Sequence, residues 1–387
     1  MQFLLNCSLI FFIINSIMTP YIVYAMIPAP IAEIPMSKAL HVAFLPDNIL
    51  AIAADISLIF YDLDSNTETE KKIYEHSVDD IAVNKTGSRL AISCHGKIEL
   101  YDTKTQKCDD RLTFLFTENF IPITFNSQKD DQLIMHPFCL GSNRSQLTFS
   151  DNQFPIRTYK RNTQAQTFIT CHPDKEEIIY ISSKFLVGIQ YQCFCLQSIA
   201  TTEHKGVVVL DNEIDVYASK YQYSPNAQYI LINQNERGLH FKSSEKQLGI
   251  PKLITCNKCD SNTHSLWTSS LWTHKLQFSS AIFHPNGTFF VTLSHRHFLE
   301  YWICESVLNQ NSPQPDFSIS LCTENNTFLN TESLQKRLSF SLDGTHLAIA
   351  LPDKCLVLPV PTSVIISSFD PELQKIILLL LSTKNKK

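Results

Sequence analysis

The sequence predicts an all-β fold assembled from seven copies of one small antiparallel unit. Three observations predict it. One pattern recurs seven times: two apolar residues spaced by two, a polar turn, a β-rich apolar run, a second short turn and a further strand. The two apolar residues keep one register in every copy, as a strand with a buried face requires. The first turn carries residues suited to a tight reversal in four copies, at Asp47-Asn48, Thr86-Gly87, Asn286-Gly287 and Asp343-Gly344. The chain has 387 residues, 44% hydrophobic and 18% charged, so it has the apolar material for a large core and is not disordered as a whole.

In order, the copies are "HVAFLPDNILAIAADISLIFYD", "IAVNKTGSRLAISCHGKIELYD", "ITFNSQKDDQLIMHPFCLGSNRSQLTF", "ITCHPDKEEIIYISSKFLVGIQ", "YQYSPNAQYILINQNERGLHF", "AIFHPNGTFFVTLSHRHFLEYW" and "LSFSLDGTHLAIALPDKCLVLPV". The first turn residue of each serves as an anchor: Leu45, Asn84, Asn126, His172, Ser224, His284 and Ser341, at spacings of 39, 42, 46, 52, 60 and 57. Immediately before the anchors stand Phe44, Val83, Phe125, Cys171, Tyr223, Phe283 and Phe340. Two residues earlier stand Val42, Ile81, Ile123, Ile169, Tyr221, Ala281 and Leu338. This period-2 register predicts that one face of each first strand is buried against a neighbouring unit, as in stacked four-stranded sheets.

Residues 76–102, with His76, the "NKTGSRLAIS" turn and strand and the closing Tyr101-Asp102, resemble a WD40 repeat, and Tyr61-Asp62 closes the preceding copy in the same way. The resemblance implies a seven-bladed β-propeller of four-stranded antiparallel sheets over residues 30–369. It departs from the family pattern in three ways. No Trp-Asp or Gly-His dipeptide occurs, and His95 stands where a WD40 repeat commonly has Asp, although Asp55 holds that place in the first copy. Closure of the ring is expected from "PIAEIPM", residues 30–36, beside "SVIISSF", residues 363–369.

Residues 191–218, 245–277 and 304–335 exceed a minimal unit and read as long loops or irregular outer strands. The pattern resumes after each, so they do not divide the chain into domains. Residues 1–25 include "FLLNCSLIFFIINSIMTPYIVYA", which has no charged side chain; the first acidic residue is Glu33 and the first basic one Lys38. This segment reads either as a signal peptide, with Val23 and Ala25 at positions −3 and −1 of a cleavage before Met26, or as an N-terminal membrane anchor. The chain is then exported, whether periplasmic, extracellular or membrane-anchored; it is cytoplasmic if the segment is not a signal. At the other end, Leu373, Ile376, Ile377 and Leu380 follow helical spacing behind Asp370 and Pro371, which predicts a short helix and basic tail over residues 370–387. That helix either docks on the sheets or opens an F-box-type helix.

Twelve cysteines show no disulfide framework, and Cys94, Cys139, Cys171 and Cys355 lie in or beside apolar runs, where thiols act as small hydrophobes. Cys256 and Cys259 in "CNKC" have the spacing of a zinc or redox pair, which Cys193 and Cys195 would complete to four ligands. A single CxxC is a weak signal. No Ser-His-Asp set, phosphate loop or HExxH motif occurs, and no cofactor is expected. A net charge of −5 without a dense Lys/Arg run argues against a nucleic-acid partner.

These residues point to a non-catalytic scaffold for protein–protein or peptide interaction, with membrane contact only through an uncleaved N-terminal segment. The alternative is a propeller enzyme of the lactonase or hydrolase kind, acting in the central funnel; it would gather acidic and His residues at equivalent turns. The turns after the second strands instead vary: Asp55, His95, Asn143, Lys184, Asn235, Arg296 and Asp353. With Asp55, the cation-bearing positions His95, Arg144, Lys184, Arg237, Arg296 and Lys354 are expected to encircle one mouth of the channel and favour an acidic peptide or loop.

Overall fold

A computed structural model describes residues 29–36, 38–108, 114–115, 123–125, 132–135, 145–151, 154–161, 170–171, 177–186, 189–198, 204–209, 219–226, 229–234, 252–255, 272–273, 278–294, 298–309, 315–321, 337–361 and 364. The predicted signal or anchor and the tail from residue 370 lie outside them.

After strand β1 (Ala32–Pro35), the described strands form seven antiparallel sheets in chain order. Sheet 1 holds β2 (Ala39–Phe44), β3 (Ile49–Ala54), β4 (Ser57–Asp62) and β5 (Thr67–Ile73). Sheet 2 holds β6 (Asp80–Val83), β7 (Arg89–Cys94) and β8 (Lys97–Asp102), with an outer edge split into β9 (Lys107–Cys108) and β10 (Phe114–Leu115). Sheet 3 holds β11 (Ile123–Phe125), β12 (Leu133–Met135), β13 (Ser145–Asp151) and β14 (Phe154–Arg161). Sheet 4 holds β15 (Thr170–Cys171), β16 (Glu177–Leu186), β17 (Ile189–Ser198) and β18 (His204–Val209). Sheet 5 holds β19 (Ser219–Tyr223), β20 (Tyr229–Gln234), β21 (Lys252–Thr255) and β22 (Trp272–Thr273). Sheet 6 holds β23 (Phe278–Phe283), β24 (Phe289–Ser294), β25 (Phe298–Ile303) and, after the short helix α1 (Cys304–Asn309), β26 (Phe317–Ser320). Sheet 7 holds β27 (Leu338–Phe340), β28 (His346–Ala350) and β29 (Lys354–Pro359), and its fourth strand is β1.

The first strands neighbour one another in sequence, β2 against β6, β6 against β11, and so on to β23 against β27, with β27 returning to β2. They form a closed inner ring from which the sheets extend outward. Each sheet is therefore covered on both faces, which explains runs such as "ILAIAA" in β3 that do not alternate with polar residues. Leu50 and Ile52 join Val42 and Phe44 against Ala348, Ala350 and Val357 of sheet 7, whereas Ala51 and Ala53 pack with Leu58 and Phe60 against Ile81, Leu90 and Ile92 of sheet 2. The same seam recurs where Phe289, Val291 and Leu299 meet Leu338, Phe340 and Leu347. Each fully buried Leu or Ile adds about 1.5–3 kcal/mol.

An inner strand has no sheet partner on its channel edge, and side chains from the preceding sheet satisfy some of its donors. The Ser339 Oγ accepts from the Phe44 N–H at 3.0 Å, Asp80 Oδ2 from the Ile123 N–H at 3.1 Å, and Gln222 Oε1 from the Phe283 N–H at 3.3 Å. Buried Arg337 donates to the carbonyls of Ala39 and Ala350, and burial brings its guanidinium down to about 10.

The anchor turns share one bonding pattern. The backbone N–H groups of Asn84, Ser224, His284 and Ser341 each donate to the carbonyl five residues on, and the turn glycines Gly87, Gly287 and Gly344 donate back to the anchor carbonyl. Side-chain oxygens of Asn84, Ser224 and Ser341 accept from the N–H of Arg89, Tyr229 and His346. Gly344 sits at φ 72°, and a Cβ there would collide with the His284 imidazole of the neighbouring turn. Gly344→Ala is expected to lower stability by about 1–3 kcal/mol in chemical denaturation; a loss under a few tenths would contradict this packing.

The structure refines three expectations. β1 pairs with β29, Ala32 opposite Val357, because "KCLVLP" forms the third strand and offers the open edge; of residues 363–369 only Val364 is among the described residues. Residues 191–218, 245–277 and 304–335 hold β18, β22 and β26, the outer strands expected as one reading, and the first two stretches also hold most of β17 and all of β21, which are third strands. The third strand of sheet 5 is Lys252–Thr255, so "RGLHF" does not fill that place.

Candidate interaction rim

Antiparallel order places the turns after the second strands and the connections from each outer strand to the next inner strand at one end of the ring. At sheets 7, 1 and 2 these pieces are joined by backbone bonds. Lys38 N–H donates to the Pro352 carbonyl at 2.6 Å, and the Lys38 carbonyl accepts from Asp55 N–H at 3.1 Å. Tyr74 and Val78 N–H then donate to the carbonyls of Ile56 and Asp55 at 2.7 and 3.0 Å. The connections thus stitch one turn to the next.

Asp55 adopts φ 51° in its hairpin, and its carboxylate lies 3.3 Å from Lys38 Nζ, both groups well exposed. Such an exposed pair adds little stability. His95 and Gly96 both take positive φ, as a two-residue I′ hairpin requires. The His95 N–H donates to Asp79 Oδ2 at 2.7 Å, and its exposed ring lies 3.9 Å from that of His76. Burial and the neighbouring Asp80 push the Asp79 carboxyl up to about 6, against the opposing pull of the His95 N–H. Cys94 beneath this turn is a buried thiol pushed up to about 11, chiefly by desolvation, which favours its protonated form. Ile56, in the sheet 1 turn, and Ile73, at the end of β5, are exposed.

The predicted rim residues divide into three groups. Asp55 and His95 stand on this rim, and Lys354 begins β29 beside it, but its ammonium is bonded to Glu33 Oε1 at 2.8 Å. Lys184 does not stand in a turn: it lies within β16, opposite Tyr191, because the flanking β-rich residues carry the strand through the polar "SSK" to Leu186. Arg144, Arg237 and Arg296 lie outside the described residues. So do Cys256 and Cys259, while Cys193 and Cys195 fall in β17 opposite Val209 and Val207. Among the described residues, no group of three His, Cys, Asp or Glu side chains is placed to hold a metal ion. Sequence reasoning overlooked Lys38, His76 and Asp79, which share the rim from the connections; the alternation of strand direction was the available signal.

No protein-family model and no curated protein sequence matches this chain. Solved structures do. The β-propeller domain of Cps50 (Swd1) from Myceliophteria thermophila superposes with a TM-score of 0.62 at 13% identity, covering 86% of this chain and 100% of that one. Hydrazine synthase from Kuenenia stuttgartiensis superposes with a TM-score of 0.55 at 13% identity, covering 85% and 97%. The likeness shows a β-propeller fold, and at this identity it shows the fold alone.

Proposed function

We propose that the chain is a non-catalytic interaction scaffold, a seven-bladed WD40-like propeller that holds a protein or peptide on the rim carrying Asp55 and His95. One observation supports this reading most. In the described inner ring, Asp80, Gln222, Ser339 and Arg337 are engaged with backbone groups of adjoining strands, whereas Lys38, Asp55, Ile56, His76 and His95 face outward on the rim. Inner polar groups hold the blades together, and the rim is left to meet a partner. The uncharged segment at residues 1–25 supports export or membrane anchorage. The acidic-partner proposal rests on Arg144, Arg237 and Arg296, since Lys354 and Lys38 have carboxylate partners.

The test is capture from the native host with wild-type protein and with an Arg144→Gln, Arg237→Gln, Arg296→Gln variant, followed by kinetics on the recovered partner. The variant is expected to associate about tenfold more slowly at low salt, with a flatter salt dependence and an unchanged circular dichroism spectrum. Equal rates and equal salt slopes would remove the cationic rim. The second reading, an enzyme working in the central channel, is kept in view by the likeness to hydrazine synthase. Stoichiometric metal in the purified protein together with substrate turnover would favour it over the scaffold.

A further inference from the structure

His284 opens the turn between β23 and β24 and is buried, and its two ring nitrogens have opposite duties. Nδ1 lies 3.2 Å from the backbone nitrogen of Asn286, whose N–H can only donate, so Nδ1 offers a lone pair. Nε2 lies 3.0 Å from the Gly344 carbonyl oxygen, which can only accept, so Nε2 carries the proton. Together they fix the neutral Nε2–H form. The ring stacks on Phe289 with centroids 4.3 Å apart and meets the edge of Phe340 at 5.0 Å. Because Gly344 belongs to the sheet 7 turn, this imidazole ties the anchor rims of sheets 6 and 7. At the preceding seam the Asn226 amide donates to the Gly287 carbonyl at 3.3 Å, the same tie made by a group that does not titrate.

We propose that His284 is a proton-sensitive latch, in which the neutral imidazole closes the seam between sheets 6 and 7 and protonation opens it. A proton on Nδ1 turns the acceptor of the Asn286 N–H into a second donor, so two N–H groups point at each other and the turn gives way. β24 and β27 present the Phe289 and Phe340 rings to the imidazole, and the sheet 7 turn presents Asp343 as the charged group among the described residues. His346, further along that turn, is bonded through Nδ1 to the Thr345 hydroxyl. The Ser341 hydroxyl, then the Thr345 N–H, hold the Asp343 carboxyl at about 2, so it stays ionised across the relevant range. Its attraction favours an imidazolium, but burial opposes the charge more strongly and sets His284 below the ordinary histidine value of 6.5. A histidine lowered in the folded state contributes stability that is present above its unfolded value and is lost as pH falls toward the folded one. The latch therefore opens below the ordinary histidine value of 6.5, as pH falls through the lowered one.

The experiment follows the histidine ring nitrogens by NMR and the Asn286 amide by hydrogen exchange, from about pH 7.5 downward until the His284 ring is protonated or the protein unfolds; global unfolding with the ring still neutral would overturn the latch. The expected result is the neutral Nε2–H form at the upper end. On acidification the imidazolium forms, with about a tenfold loss of Asn286 protection beyond the intrinsic pH effect. The Tyr229 amide, held by Ser224 Oγ in the sheet 5 turn, should keep its protection. His284→Gln, which retains a donor toward Gly344 without titrating, should show no pH-dependent change at Asn286. An Nδ1–H form at the upper end, or the same loss of protection in His284→Gln, would overturn the latch. If that variant does not fold, ring protonation in the wild type without loss at Asn286 overturns it equally.

Discussion

Phe283→Asp is expected to destabilise the protein by at least about 3–5 kcal/mol, a large share of the 5–15 kcal/mol that holds a typical domain together. Phe283 is the last residue of β23 and is buried in the seam with Tyr229 and Leu231 of sheet 5. Its ring lies 5.9 Å from Phe290 in an edge-on arrangement. Aspartate loses that contact and also places a carboxylate among apolar side chains. Phe283→Leu keeps the burial and should cost only about 1 kcal/mol. Urea denaturation of both variants decides the matter, and an Asp variant within about 1 kcal/mol of wild type would mean that Phe283 does not sit between sheets.

Glu99→Ala is expected to cost about 3–5 kcal/mol near neutral pH, because it leaves a buried polar network without its centre. The Glu99 side chain is only 3% exposed, and its two oxygens lie 2.6 Å from Lys72 Nζ of sheet 1 and 2.6 Å from Lys97 Nζ. The Tyr74 and Tyr101 hydroxyls donate to it at 3.1 and 2.9 Å. Burial pushes this carboxyl up, yet the two ammonium groups outweigh it and hold Glu99 at about 2, below its ordinary 4.5. The depressed value makes the pH dependence definite: the stabilisation is complete above about 4.5 and is lost as pH falls toward 2. The gap between wild type and Glu99→Ala, measured by thermal unfolding, should therefore shrink by up to about 3 kcal/mol across that interval. A gap that stays constant down to about pH 2 would place the carboxyl outside the network.

Much of this architecture was legible in the residues themselves. The period-2 pairs before Leu45, Asn84 and Ser341 mark strands whose faces are buried, since a one-residue slip would turn Phe44 or Phe340 away from its cluster. The turns announced themselves because Gly87, Gly287 and Gly344 supply positive φ where other residues are strained. Strand boundaries inside polar stretches were not legible. Lys184 looked like a turn residue, yet pairing with Tyr191 on the adjacent strand satisfies its backbone within β16. The chain neighbours of a lysine carry no record of the strand that will lie beside it.

Two glutamates show where local sequence stops and tertiary structure decides. Glu99 and Glu300 are each the third residue of a third strand, opposite Ile92 and Thr292 in the same register. The repeat pattern alone determined that both would sit in a strand packed between sheets. Their charge was settled by what lies against them. Sheet 1 brings Lys72 across the seam to Glu99, whereas the hydrogen-bond partner of Glu300 among the described residues is the Thr292 hydroxyl at 3.4 Å, and burial pushes Glu300 up to about 7. One carboxyl is held ionised and the other is driven toward its neutral form: Lys97, two residues before Glu99, was legible in the sequence, but Lys72 is remote along the chain and comes beside Glu99 only when sheets 1 and 2 pack together.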